Sequence, residues 1–315
     1  MTVKGKLDAD DTGIFLPHEH TFTDFTGAEK VVQPQYNRDT AFNFLLPYLI
    51  ELKSNGVKTL AECTPSYIGR DVLLLKRLSE ASGLNIITNT GYYAAVDFKY
   101  IPAHAYHENI DQLTSRWLKE WNMGIENTGI KPGFIKLGVG NAPLKPLEKK
   151  LIIAAARTHL KSGLKIAIHT GNGEAANEEV KLLELEGVNP AAMIWVHAQN
   201  DETGTYHLEL ARKGCWISLD GFSDDETTIV KYCRYIKSLK EAGFLNKILI
   251  SHDDGFAVIA NTGFEAFKKG VSYTSIFIRL KPALIQEGIT AEDFDQITII
   301  NPQNAFKIEI YSSKR

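Results

Sequence analysis

Residues 146–170 read PLEKKLIIAAARTHLKSGLKIAIHT. Pro146 to Ser162 repeats apolar residues at helical spacing, and Gly163 then offers the left-handed cap on which helices stop. Leu164 to Ile168 is a short apolar run, and it ends abruptly at His169. This order of helix, glycine, strand and polar residue recurs outward in both directions. Strand-like runs precede and follow it at Gly13 to Pro17, Val57 to Cys63, Leu84 to Asn89, Gly133 to Leu137, Ala192 to Val196, Cys215 to Leu219 and Lys247 to Ser251. Between them lie helical patterns over Thr40 to Ser54, Asp71 to Ser82, Glu108 to Asn127, Ala175 to Glu186, Thr203 to Lys213 and Thr227 to Ala242, with a last one near Tyr273 to Glu287. Gly56, Gly83, Gly187, Gly214 and Gly243 stand where Gly163 does, just ahead of a strand.

Strands alternating with helices of ten or more residues imply βαβ units and a parallel sheet. Eight units predict an α/β fold closed into a (β/α)8 TIM barrel, which typically takes about 250 residues. The 315-residue chain leaves room for a short N-terminal extension over 1–12 and long loops after the third and eighth strands. The rival, an open doubly wound sheet, usually carries a glycine-rich phosphate turn after its first strand. Here that strand ends in Pro17-His18-Glu19-His20 instead. No linker or low-complexity segment divides the chain, so 1–315 is expected to form a single domain.

Composition narrows the partners. Lys+Arg number 35 against 38 Asp+Glu, a net charge of -3, and both signs are scattered. No basic stripe is present to neutralise phosphates, so nucleic acid is not the expected partner. The longest apolar runs, such as Phe42 to Leu52, fall short of the roughly 20 residues a spanning helix needs, so no membrane is expected. The first residues, MTVKGKLDADDTGIF, carry acids where an export signal has its apolar stretch. Cys63, Cys215 and Cys233 are widely spaced and odd in number, which suits a reducing, cytoplasmic setting.

Chemistry in such a barrel sits at the C-terminal ends of the strands. Those ends carry His18, His20, Lys136, His169, His197 and Asp253. Side chains two apart share a strand face, so His18 and His20 can chelate one ion while Glu19 turns away. Imidazole nitrogen with carboxylate oxygen suits zinc or its first-row neighbours, and the absence of thiolate ligands points to a catalytic rather than a closed structural site. Lys136 is the odd member, because an ammonium aimed at a dication is repelled. Burial beside cations favours the neutral amine, which adds carbon dioxide to give a carbamate. That anion has two oxygens and can bridge two metal ions.

These residues resemble the phosphotriesterase and lactonase family of the amidohydrolase superfamily. The likeness runs through His18-Glu19-His20, Ile68-Gly69-Arg70-Asp71, Thr90-Gly91-Tyr92-Tyr93, Ile135-Lys136-Leu137-Gly138, Ile168-His169-Thr170, Val196-His197-Ala198, Ser251-His252-Asp253 and Asn301-Pro302-Gln303-Asn304-Ala305-Phe306. The resemblance implies two divalent ions, zinc by expectation, and an N6-carboxylysine at Lys136. His18, His20 and Asp253 would hold the buried ion, His169 and His197 the exposed one, and Lys136 would bridge them together with a water or hydroxide. Asp253 would also take the nucleophile's proton, and Tyr93 would lie near the water and the substrate. His252 is expected to point away. A homodimer acting on a small-molecule substrate is implied as well.

The leading expectation is hydrolysis of a lactone or carboxylic ester, with phosphotriesters as side substrates. The alternative is hydrolysis of an N-acyl amino compound, and a distant third is a barrel that binds metal or ligand without catalysis. Two departures bear on substrate and proton relay. Gly221 stands where several lactonases carry arginine, followed by the acidic Asp224-Asp225-Glu226, which weakens the case for a phosphorylated substrate. Asn200 stands where some members have a relay aspartate, leaving Asp201 as the nearest replacement. Tyr92, Phe98, Tyr100, His104, Tyr106, His107, Phe256, Phe264 and Phe267 suggest aromatic loops, and Lys268 and Lys269 are candidate anion contacts. Arg70 is read as a fold-stabilising ion pair in preference to an anion site.

Overall fold

The structure, a computed structural model, describes residues 1–31, 36–260, 263–266 and 273–310, with backbone alone at 256–260 and 263–266. The barrel strands are β1 (Ile14–Asp24), β2 (Val57–Glu62), β3 (Asn85–Ile87) with β4 (Asn89–Thr90), β5 (Phe134–Gly138), β6 (Ile166–His169), β7 (Met193–Val196), β8 (Trp216–Leu219) and β9 (Ile248–Ile250). Between them run α1 (Arg38–Ser54), α2 (Val72–Ser82), α3 (Ala103–His107), α4 (Ile110–Met123), α5 (Pro146–Ser162), α6 (Gly173–Leu185), α7 (Thr205–Lys213) and α8 (Glu226–Glu241). All barrel ladders are parallel, so the (β/α)8 expectation holds. Gly163 closes α5 in the left-handed region, at φ 75°.

Two cores follow from the pleat. Inward-facing apolar residues of the strands pack in one cluster: Phe15, Ala61, Ile87, Phe134, Ala167, Ile194 with Val196, Trp216 and Leu249, joined by Cys63, Ala305 and Phe306. The opposite faces, with residues such as Leu16, Leu60 and Ile166, pack against the helices in a second, larger cluster. That division makes parity readable. Lys136 is two residues past Phe134, His169 two past Ala167 and Asp220 four past Trp216, so all three continue the inner face.

Three details depart from the expected pattern. The first strand does not stop at Pro17 but runs to Asp24, because its far half pairs with β10 (Gly255–Ala260), itself antiparallel to β11 (Gly263–Ala266). This hairpin after the eighth strand has no counterpart in the expected pattern. The third strand is split at Thr88, whose carbonyl accepts from Gly133. Where β9 meets β1, the contact is not a regular ladder: His18 N–H donates to Ser251 Oγ (3.1 Å) and Asp253 N–H to the His18 carbonyl (3.2 Å). The seam of the barrel therefore falls at the candidate site.

Candidate metal centre

Local irregularities aim the side chains. A shift in the β1–β2 register between Leu16 and Glu19 moves the inner face of β1 from Phe15 onto His18 and His20, as bulges do. His197 follows Val196, an inward residue, so plain alternation would turn it outward. It is instead left-handed, at φ 64° and ψ 38°, which swings the ring into the cavity. Asp253 is left-handed too, at φ 55°. Such backbone costs roughly 1–3 kcal/mol per residue and concentrates at functional sites.

Asp253 is the hub. Its Oδ1 lies 2.9 Å from His18 Nε2 and 3.2 Å from His20 Nε2, and its Oδ2 lies 3.8 Å from His197 Nε2. Ligand atoms of His18, His20 and Asp253 fall within 4.8 Å of one another. The His169 ring stands edge-on to His197, with centroids 4.3 Å apart. These residues, with Lys136 and Tyr93, line one open cavity of about 210 Å³. Lys136 is only 2% exposed, and its Nζ has no hydrogen-bond partner among the described residues.

The charges fit cations. An unpaired buried ammonium is costly, and no described acceptor meets this one. Burial, with His197 and Lys136 adding to it, holds His169 well below the ordinary imidazole pKa, so its lone pair is free for a metal. Burial opposes ionisation of Asp253, but His18 and His197 outweigh it and hold the carboxyl well below the usual range. Burial and Lys136 lower the His18 pKa, yet Asp253 and Asp220 prevail and the net direction is up. Cys63 also lines the cavity, but burial pushes its thiol up, so it stays protonated and makes a poor ligand.

A second ring of groups fixes the imidazoles. The fully buried Asp220 has Oδ1 2.7 Å from His197 Nδ1 and Oδ2 3.2 Å from His18 Nδ1. Its Oδ1 also accepts from the His197 N–H, which braces the left-handed turn. His20 Nδ1 lies 2.8 Å from Thr64 Oγ1, and Thr64 donates to Glu62 Oε1 at 2.5 Å. In each case the acceptor at Nδ1 favours the proton there, which would leave Nε2 to serve a metal ion. Glu19 turns away as expected and accepts from His252, Ser251 and the Asp254 N–H, so His252 lies behind the site. The pairing of Asp220 with two histidines escaped the sequence reading, although its parity on β8 was a usable signal.

Tyr93 packs against His169, with centroids 4.9 Å apart. It lies over Gly138, where an added Cβ would come within 2.3 Å of the ring. Gly138→Ala is therefore expected to displace Tyr93 and lower kcat by about tenfold to a hundredfold, with metal content unchanged by elemental analysis.

Other expectations resolve differently. The Arg70 side chain is 1% exposed and pairs with Glu120 at 2.8 Å while donating to the Asn89 carbonyl, so it serves the fold. Glu120→Gln should cost about 2 kcal/mol in denaturant unfolding, below the full buried-pair range because the glutamate is partly solvated. Asp201 caps the start of α7 through Tyr206 and Thr203 and touches none of the cavity histidines. At Gly221 a Cβ would meet Gln199 Nε2 at 2.4 Å, so a larger residue there would have to displace the Gln199 side chain. Asp225 caps α8 and Glu226 pairs with Arg279, so neither acid lines the cavity. Tyr92 packs on Trp117 and His104, whereas Tyr100 lines the cavity with Tyr93. The side chains of Phe256 and Phe264, and Phe267, Lys268 and Lys269 altogether, lie outside the described residues.

Histidines, a carboxylate and a buried lysine gathered at the C-terminal mouth of a (β/α)8 barrel define a metal-dependent hydrolase class. Residues 1–306 match the phosphotriesterase family, and the chain belongs to that family. A phosphotriesterase homology protein of Escherichia coli is 26% identical over 96% of this chain and 100% of its own length. Human N-acetyltaurine hydrolase is 29% identical over 81% of this chain and 74% of its own. A mutant organophosphorus hydrolase from Deinococcus radiodurans superposes with a TM-score of 0.83 at 27% identity, covering 97% of this chain and 96% of that one.

Proposed function

We propose that the chain is a binuclear, zinc-dependent hydrolase of lactones or carboxylic esters. The observation that carries this reading is the orphaned Lys136 amine, buried in a cavity that four histidines and Asp253 also line. His18, His20 and Asp253 would hold one ion, His169 and His197 the other, and Lys136, carboxylated, would be shared. When bound, the ions supply Lewis acidity toward a carbonyl oxygen and lower the pKa of water toward neutrality.

The chain's own residues do the rest. Asp253, ionised at neutral pH, takes the proton of the attacking water and delivers it to the leaving oxygen. Burial, with Asp253 adding, pushes the Tyr93 phenol up, so Tyr93 stays protonated and donates a hydrogen bond to the substrate. Phe25, Ile68, Val96 and Tyr100 give the cavity an apolar wall that displaces water. Lys136 is the only lysine or arginine among its described lining residues, which favours an uncharged lactone over a phosphorylated one.

Amide hydrolysis is the second reading, favoured by the likeness to N-acetyltaurine hydrolase. An amine leaves only if protonated, which places more demand on Asp253. Metal analysis of the purified protein, paired with a lactone, N-acyl amide and phosphotriester panel, separates the two. Two zinc equivalents with lactones turned over best is the expected result. One equivalent or none sinks the binuclear reading, and amides turned over best moves the assignment to the second.

A further inference from the structure

Asp254 follows the hub aspartate, and nothing in the mechanism above uses it. Its main chain is clamped: the N–H donates to Glu19 Oε2 (3.1 Å), and the carbonyl accepts from the His20 N–H (2.7 Å) and the Tyr273 hydroxyl (3.1 Å). The residue is half-buried and lines the cavity. Its Oδ1 accepts from the Gly255 N–H at 2.8 Å, while Oδ2 has no hydrogen-bond partner among the described residues. A free acceptor beside an apolar wall is satisfied by water until a substrate displaces that water. A substrate without a donor then leaves the carboxylate unpaired, and one with a donor does not.

We infer that Asp254 is a specificity-determining residue that accepts a hydrogen bond from a hydroxyl or ammonium substituent on the substrate. The inference rests on the hydrolase reading above and adds a substrate class to it: lactones or esters bearing a donor near the scissile carbonyl. Anionic substituents are disfavoured by the same carboxylate, since no described arginine lines the cavity to offset it.

The test compares kcat/KM for α-hydroxy- and α-amino-γ-butyrolactone with that for γ-butyrolactone, in the metal-loaded protein and in its Asp254→Ala and Asp254→Asn variants. The expected wild-type preference for the donor-bearing lactones is about tenfold or more, expressed chiefly in KM. Asp254→Ala should bring both ratios to about one, and Asp254→Asn, whose oxygen is claimed by the Gly255 N–H so that its NH2 faces the substrate, should lower the ammonium ratio more than the hydroxyl ratio, because a hydroxyl can accept from that NH2 and an ammonium cannot. Each ratio is internal to one variant, so a general loss of metal or stability does not imitate the result. Calorimetric binding of the matching amino-substituted and unsubstituted γ-lactams reads the same preference without turnover. Failure to hydrolyse any lactone counts against the hydrolase reading, and the lactam ratio then decides on Asp254 alone. Equal affinities in the wild type, or a preference that survives Asp254→Ala, overturns the inference.

Discussion

Lys136→Met is expected to lose both metal ions and roughly a thousandfold or more in kcat/KM, about 4 kcal/mol of transition-state stabilisation, while the barrel still folds. The structure makes this separation of function from folding sharp. Lys136 is 2% exposed, and its Nζ forms no hydrogen bond among the described residues, so methionine removes no partner. Replacing a buried charge with an apolar side chain of similar volume is often neutral or stabilising. Far-ultraviolet dichroism and thermal unfolding of the metal-free proteins should therefore agree between wild type and variant. Elemental analysis of the loaded proteins should not. A variant that keeps two metal ions sinks the shared-ligand role of Lys136.

The second large effect is expected at Asp220, which lines up with no metal ligand in the sequence reading. Both of its oxygens are engaged with Nδ1 of a cavity histidine, His197 at 2.7 Å and His18 at 3.2 Å. His197 and His18 outweigh burial and hold its carboxyl far below the usual range, so it is the ionised acceptor for both rings. Asp220→Asn presents one acceptor and one donor where two acceptors are needed, so one imidazole must switch tautomer and lose its bare Nε2 toward the cavity. Loss of such a supporting contact typically weakens metal binding by about 10- to 100-fold. Because His18 and His197 would serve different ions, the affinity for the ion on the switched histidine should fall most, read by titration against a competing chelator. Asp220→Ala should be worse, since it also removes the acceptor for the His197 N–H that braces the left-handed turn. Wild-type affinities in Asp220→Asn would show the pairing to be incidental.

Much of this was legible in the chain itself. The Pro146–Ser162 helix appears with its expected bounds, and Gly163 caps it, because apolar periodicity and a glycine stop are local signals. Asp71 caps α2 through Leu74 N–H, and Glu19 turns away from its two histidine neighbours as alternation requires. Lys136 and His169 enter the cavity by simple alternation from Phe134 and Ala167. Asp201 was the weaker expectation, resting on adjacency to Asn200, and the structure spends it on capping α7.

The order of strands and helices, the strand-end positions of the candidate ligands and the lysine among them were fixed by the sequence alone, since periodicity and pleat depend on neighbours a few residues away. Three matters were decided only in three dimensions. The bulge that aims His18 and His20, and the left-handed turn that reverses His197, arise where backbone is strained against its neighbours. The pairing of Asp220 with His18 joins residues 202 apart in the chain. Closure of the barrel between β9 and β1 brings Asp253 onto His18 and His20, and no local pattern encodes a contact that exists only when the last strand meets the first.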